Sequence, residues 1–137
     1  MKIHRAASRA TKTQPPTNFT GTVFADEVVV GELPSRMRAT RVSFTPGART
    51  FWHMHPVGQV LFCLSGAGRY QEEGGSVVEL LPGDTVVIAP NKRHWHGAAP
   101  DHLFSHLALS EVSDTGEGTK WLDPVSDADY KAKPSAV

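Results

Sequence analysis

Between Thr22 and Leu109 the chain never sustains an apolar pattern for longer than one strand. The runs are 22–24, 28–30, 38–44, 50–55, 59–65, 68–72, 77–81, 85–89, 94–98 and 103–109. Turn formers separate them, at 31–34, 46–47, 56–58, 66, 74–75, 82–83, 90–91 and 100–101. Glycine frees φ and proline locks it, so each cluster favours a chain reversal. The 3.6-residue period of an amphipathic helix is absent from this stretch. Strand-length runs at short, regular spacing predict an all-β sandwich or barrel. The 12 Gly and 10 Pro in 137 residues exceed their usual combined share of about 12%, as a turn-rich fold requires.

The length suits one domain, large enough to bury a core without disulfides or a structural metal. Residues 1–20 are polar and basic and read as an arm with little structure of its own. Residues 21–112 hold the strand pattern, and 113–137 form a polar tail. Within the tail, Trp121, Leu122 and Val125 can dock on the barrel, and residues 126–131 can form a short helix capped by Ser126 or Asp127. Fourteen basic residues balance fourteen acidic ones, which argues against a nucleic-acid partner or a polybasic membrane surface. The longest apolar runs, about five residues, cannot span a bilayer as a helix. The first sixteen residues lack the apolar stretch of a secretory signal, and the lone Cys63 excludes an intramolecular disulfide. A cytoplasmic location is therefore expected.

Six of the seven histidines lie between positions 53 and 106. Residues 47–66 read G-x5-H-x-H-x3-Q-x6-G, with His53, His55 and Gln59 at the variable centre. Two residues apart on a strand, two imidazoles project from one face with about 6–7 Å of backbone rise between them. That arrangement suits two cis ligands of one metal ion. Gln59, after the turn at 56–58, can return a carbonyl oxygen from the adjacent strand. His94 is a candidate third imidazole. Several uncompensated imidazoles in one interior cost free energy unless something binds them. By strand parity Thr40, Val42 and Phe44 face inward, as do His106 and Ser110, while Trp52 and Trp95 face away. Thr40, Val42 and Ser110 are therefore expected to line the pocket. Thr50 is placed at its rim, on parity opposite to His53. Arg49, Lys92 and Arg93 read as solvated turn charges, and Cys63 as a packed apolar residue.

These motifs resemble those of the cupin superfamily, whose first motif is G-x5-H-x-H-x3,4-E-x6-G. Here Gln59 replaces the glutamate. The second cupin motif, G-x5-P-x-G-x2-H-x3-N, is met by Gly83 and His94, with Ala89, Asn91 and Ala98 standing for Pro, Gly and Asn. Asn91 can take the left-handed conformation that the glycine supplies. The resemblance implies a double-stranded β-helix, or jelly-roll, barrel. A narrower likeness to small bacterial cupins of hydroxynitrile lyase type rests on GART-x-W-H-x-H-P-x-G-Q, on His94-Trp95-His96-Gly97 and on His106-Leu107-Ala108. It implies His53, His55, Gln59 and His94 as ligands of a divalent metal, manganese above all, with Fe, Ni, Co or Zn compatible with the same donors.

Three imidazoles and an amide leave the 2+ charge uncompensated, which strengthens the Lewis acid and attracts anions or alkoxides. His96 and His106 are the candidate bases beside it, and the sequence does not separate them. The expected reaction is cyanohydrin cleavage to an aldehyde and cyanide, with a small-molecule substrate and a homodimeric or homotetrameric enzyme. An oxygen-dependent cupin dioxygenase and a ligand-binding cupin remain open alternatives, separated by oxygen uptake or by capture without turnover.

Overall fold

The computed structural model describes residues 1–135; residues 136–137 of the expected tail lie outside the described residues. The strands in chain order are β1 (Thr11–Thr13), β2 (Phe19–Thr20), β3 (Val23–Val30), β4 (Met37–Phe44), β5 (Arg49–Thr50), β6 (His53–Met54), β7 (Gln59–Gly66), β8 (Gly68–Glu72), β9 (Val78–Leu80), β10 (Thr85–Ile88), β11 (His94–Ala98), β12 (Phe104–Glu111) and β13 (Lys120–Trp121). One α-helix, α1 (Asp127–Tyr130), follows. The first sheet has the order β1-β3-β4-β12-β7-β10. In the second, β13-β6-β11-β5-β2 form a path, and β8 joins β11 to β9. The ladders are antiparallel.

This is the expected all-β jelly-roll, built as two facing sheets that are not closed into one continuous barrel. Each sheet keeps free edges, at β1 and β10 in one and at β13, β2 and β9 in the other. Side chains from the two inner faces close the space between them. Val23, Phe44, Leu61 and Phe104, all at most 1% exposed, form its apolar floor with Cys63, Tyr70 and Ile88.

The arm is exposed, and its first strand is templated by β3, with Thr11 opposite Asp26 and Thr13 opposite Phe24. The ordered fold starts earlier than residue 21, because Phe19 is buried and β2 pairs with β5.

A second apolar cluster lies on the outer side of the second sheet: Trp52, Val77, Trp95, Val125 and Tyr130. The tail covers it. Ser126 caps α1 by accepting from the Asp129 N–H, and the Tyr130 hydroxyl donates to the Ala98 carbonyl at 2.6 Å. Arg49 is buried here, contrary to the solvated turn charge read from the sequence. It donates to the Val125 carbonyl at 3.0 Å and to Asp127 at 2.9 Å. Its guanidinium lies 4.3 Å from the Tyr130 ring centroid. A charge that leaves water needs such partners.

The motif glycines differ in what they do. Gly47 and Gly66 both have positive φ, 83° and 79°. A Cβ at Gly66 would fall 1.7 Å from the Leu103 carbonyl oxygen, whereas one at Gly47 meets nothing within 4 Å. Gly66→Ala is expected to lower stability by more than about 3 kcal/mol, and Gly47→Ala by about 1–2 kcal/mol. Urea midpoints of the two variants check this; equal losses would contradict it. Asn91 has φ 57°, so the turn before His94 survives without its glycine.

Candidate metal centre

The first histidine strand is broken. The run 50–55 forms β5 and β6, and Phe51 and Trp52 between them leave the sheet. The Phe51 N–H donates to the Asn18 carbonyl and the Trp52 N–H to the Asp123 carbonyl, each at 2.9 Å. The break resets the alternation. Thr50 therefore lines the same cavity as His53, against the parity read from an unbroken strand. Its hydroxyl accepts from the His96 N–H at 3.2 Å, which ties β5 to β11.

Three strands then converge. Register sets His94 opposite His53. It also sets His106 opposite Val42 on one side and Cys63 on the other, and Ser110 opposite Gln59. The His53 ring centroid lies 4.2 Å from His94, 5.0 Å from His55 and 5.3 Å from His96. His55 and His94 are 5.5 Å apart. A ring nitrogen each of His53, His94 and His96 falls within 4.8 Å of the others.

The remaining ring nitrogens orient the donors. Nδ1 of His53 lies 2.8 Å from the Phe51 carbonyl, and Nδ1 of His94 lies 2.8 Å from the Lys92 carbonyl. A carbonyl only accepts, so both Nδ1 atoms carry the proton and both Nε2 atoms present a lone pair. Nδ1 of His55 is 3.2 Å from the Thr119 hydroxyl. His55 Nε2, Gln59 Oε1 and His94 Nε2 are buried and have no hydrogen-bond partner among the described residues. Buried polar atoms are rarely left so. Nitrogen and oxygen donors collected in this way fit a divalent transition metal. The buried triad His53, His94 and His96 can hold one, and the unpartnered atoms extend the donor set to His55 and Gln59.

His96 differs from the other two members of the triad. Its Nδ1 lies 3.0 Å from Nε2 of His106, with one proton shared between them. Burial holds all five imidazoles neutral. It lowers His106 to about 3. It lowers His55 to about 4, with His94 adding to the effect. His53 and His96 fall well below the usual histidine value through burial and then through their imidazole neighbours. His94 is lowered by burial. Neutral imidazoles are the ones that can ligate a cation or accept a proton.

The cavity has a volume of about 190 Å³, below the about 300–1,000 Å³ that takes drug-sized ligands. The four positions expected to contact substrate, Thr40, Val42, Thr50 and Ser110, all line it, with His53, His55, Gln59, His96 and His106. Phe19, Arg38, Ala108, Thr119 and Trp121 also line it and were not legible as site residues. Trp121 reaches the cavity because β13 pairs with β6, setting Trp121 opposite His53; their rings are 4.8 Å apart. A larger groove of about 510 Å³ touches Gln59 and Ser110 from outside and is lined by no imidazole.

The cupin domain family matches residues 40–103. Over 96% of this chain and 99% of the other, 44% of residues are identical to an (R)-mandelonitrile lyase of Granulicella tundricola. The chain belongs to the cupin family. A solved cupin-like protein of Thermotoga maritima superposes with a TM-score of 0.84 at 37% identity, covering 93% of this chain and 96% of that one. A polyketide cyclase of Streptomyces resistomycificus, at 16% identity and TM-score 0.74 over 96% of this chain and 91% of that one, shares the cupin fold. Among the described residues of this cupin, no helix is long and apolar enough to cross a membrane.

Proposed function

We propose that this cupin is a metal-dependent hydroxynitrile lyase that interconverts a cyanohydrin with an aldehyde and hydrogen cyanide. The observation that carries the reading is the set of unpartnered donor atoms at His55, Gln59 and His94, of which His55 and Gln59 line one small cavity with the hydrogen-bonded pair His96 and His106. The likeness to a lyase over nearly the whole chain supports the reaction class.

His53, His55, Gln59 and His94 would hold the ion, with Mn(II) proposed from the family resemblance. A divalent cation held there would supply a Lewis acid that makes a neighbouring hydroxyl more acidic. Nε2 of His96 accepts the hydroxyl proton when its Nδ1–H donates to His106. His106 then acts through His96, holding the imidazolium that forms. The bond between the carbinol carbon and the nitrile carbon breaks, and its electron pair leaves on cyanide. Cyanide takes the proton back from His96 as hydrogen cyanide, so nothing is oxidised or reduced. Val42, Ala108 and Trp121 give the cavity apolar walls that limit water.

The test is cleavage of racemic mandelonitrile by manganese-loaded protein under nitrogen, read as benzaldehyde at mildly acidic pH. Turnover is expected, and His96→Gln should lower kcat by about 10²–10⁴ while manganese content stays unchanged. Absence of turnover with manganese bound would overturn the proposal.

A further inference from the structure

Arg38 shares inward parity on β4 with Thr40 and Val42. Register sets Val42 opposite His106, Thr40 opposite Ala108 and Arg38 opposite Ser110. The inner face of β4 therefore runs from the histidine pair outward to Arg38, which is exposed. All three residues line the histidine cavity. Four residues of strand span about 13 Å, and the long arginine side chain bridges part of that distance.

Four other arginines are committed, and Arg41, of opposite parity to Arg38 on β4, does not line the cavity. Arg36 donates to the Ser113 carbonyl and pairs with Asp114. Arg49 pairs with Asp127, and Arg69 donates to the Tyr130 carbonyl. Arg93 pairs with Glu73 and Asp123. Arg38 has no ion pair or hydrogen bond from its guanidinium among the described residues. Among the described residues, no Asp or Glu lines the cavity. Among the described residues that line it, Arg38 is the one charged side chain, and its planar fork matches a carboxylate.

We propose that Arg38 selects an anionic substrate, an aldehyde or cyanohydrin whose far end carries a carboxylate. The carboxylate pairs with Arg38 at the mouth while the reacting carbon lies at the histidine end. The identity of the reacting group rests on the lyase reading; the selection for an anion rests on Arg38 and the acid-free lining. A para-substituted benzene ring holds two such groups at opposite ends.

The binding test uses manganese-loaded protein at low ionic strength. Terephthalate and its monomethyl ester each offer one carboxylate to the inner site, and only terephthalate offers a second to the mouth. Calorimetry is expected to show terephthalate binding about five- to tenfold more tightly, with the preference shrinking as salt is added. Arg38→Met should abolish the preference, and Arg38→Lys should retain part of it. Equal binding by the unmodified protein, or a preference that persists in Arg38→Met, would overturn the proposal. In parallel, 4-formylbenzoate and its methyl ester are offered with cyanide. A higher kcat/KM for 4-formylbenzoate that disappears in Arg38→Met supports the proposal. Turnover of neither aldehyde with the binding preference intact sinks the lyase reading and leaves the anion site standing. Equal turnover with equal binding does the reverse.

Discussion

His94→Ala is expected to remove the bound metal and to lower mandelonitrile turnover by more than about 10²-fold. Removing an outer-shell partner alone costs about 10–100-fold in affinity or activity, and His94 is proposed as a direct ligand. Its Nδ1 is held by the Lys92 carbonyl, and its Nε2 is buried without a partner among the described residues. Metal content after gel filtration and the rise in Tm on adding manganese give the direct readings, since a ligand that binds only the folded state stabilises it. His55→Ala should also lose the metal, whereas His96→Gln should keep it. That contrast separates the set His53, His55, Gln59 and His94 from the tighter triad of His53, His94 and His96. Stoichiometric manganese in His94→Ala would contradict both.

Metal-stripped protein is expected to unfold in mild acid. Folding depresses the histidine pKa values, His55 to about 4 and His106 to about 3. The unfolded chain therefore binds more protons than the folded one once pH drops below about 6.5. Stability is fully present above that value and falls as pH decreases toward the folded values. Each of these two histidines removes about 1.4 kcal/mol per pH unit in that window. Two together remove about 3 kcal/mol per unit, against a usual total of about 5–15 kcal/mol. Urea midpoints between pH 7.5 and 4.5 test this, and His106→Leu should flatten the slope by about one proton. Equal stability at both ends of the range would sink the prediction.

Much of the site was legible because it depends on local rules. H-x-H and Gln59 meet across a short turn, so their spacing already implies neighbouring side chains. The strand parity of Thr40, Val42, His106 and Ser110 held because β4 and β12 run unbroken through those positions. Thr50 broke the rule. Its alternation is reset by bonds from Phe51 to Asn18 and from Trp52 to Asp123, partners far away in the sequence. Arg49 was misread for a similar reason: what buries it is the tail segment around Val125, Asp127 and Tyr130. Thr119 and Arg38 went unnoticed, and Trp121 was read only as docking the tail, because no motif ties them to a histidine.

By itself the sequence determined where the chain turns, which residues alternate inward along the long strands, and which side chains carry the candidate donor atoms. These follow from φ preferences and a two-residue period, which act over a few residues. Tertiary structure decided the rest: the open edges that the two jelly-roll sheets keep, the hydrogen bond between His96 and His106, the tail's clamp on Arg49, and the arrival of Trp121 at the cavity. Each depends on register between strands remote in sequence, and register is set by which faces pack together once the chain has collapsed.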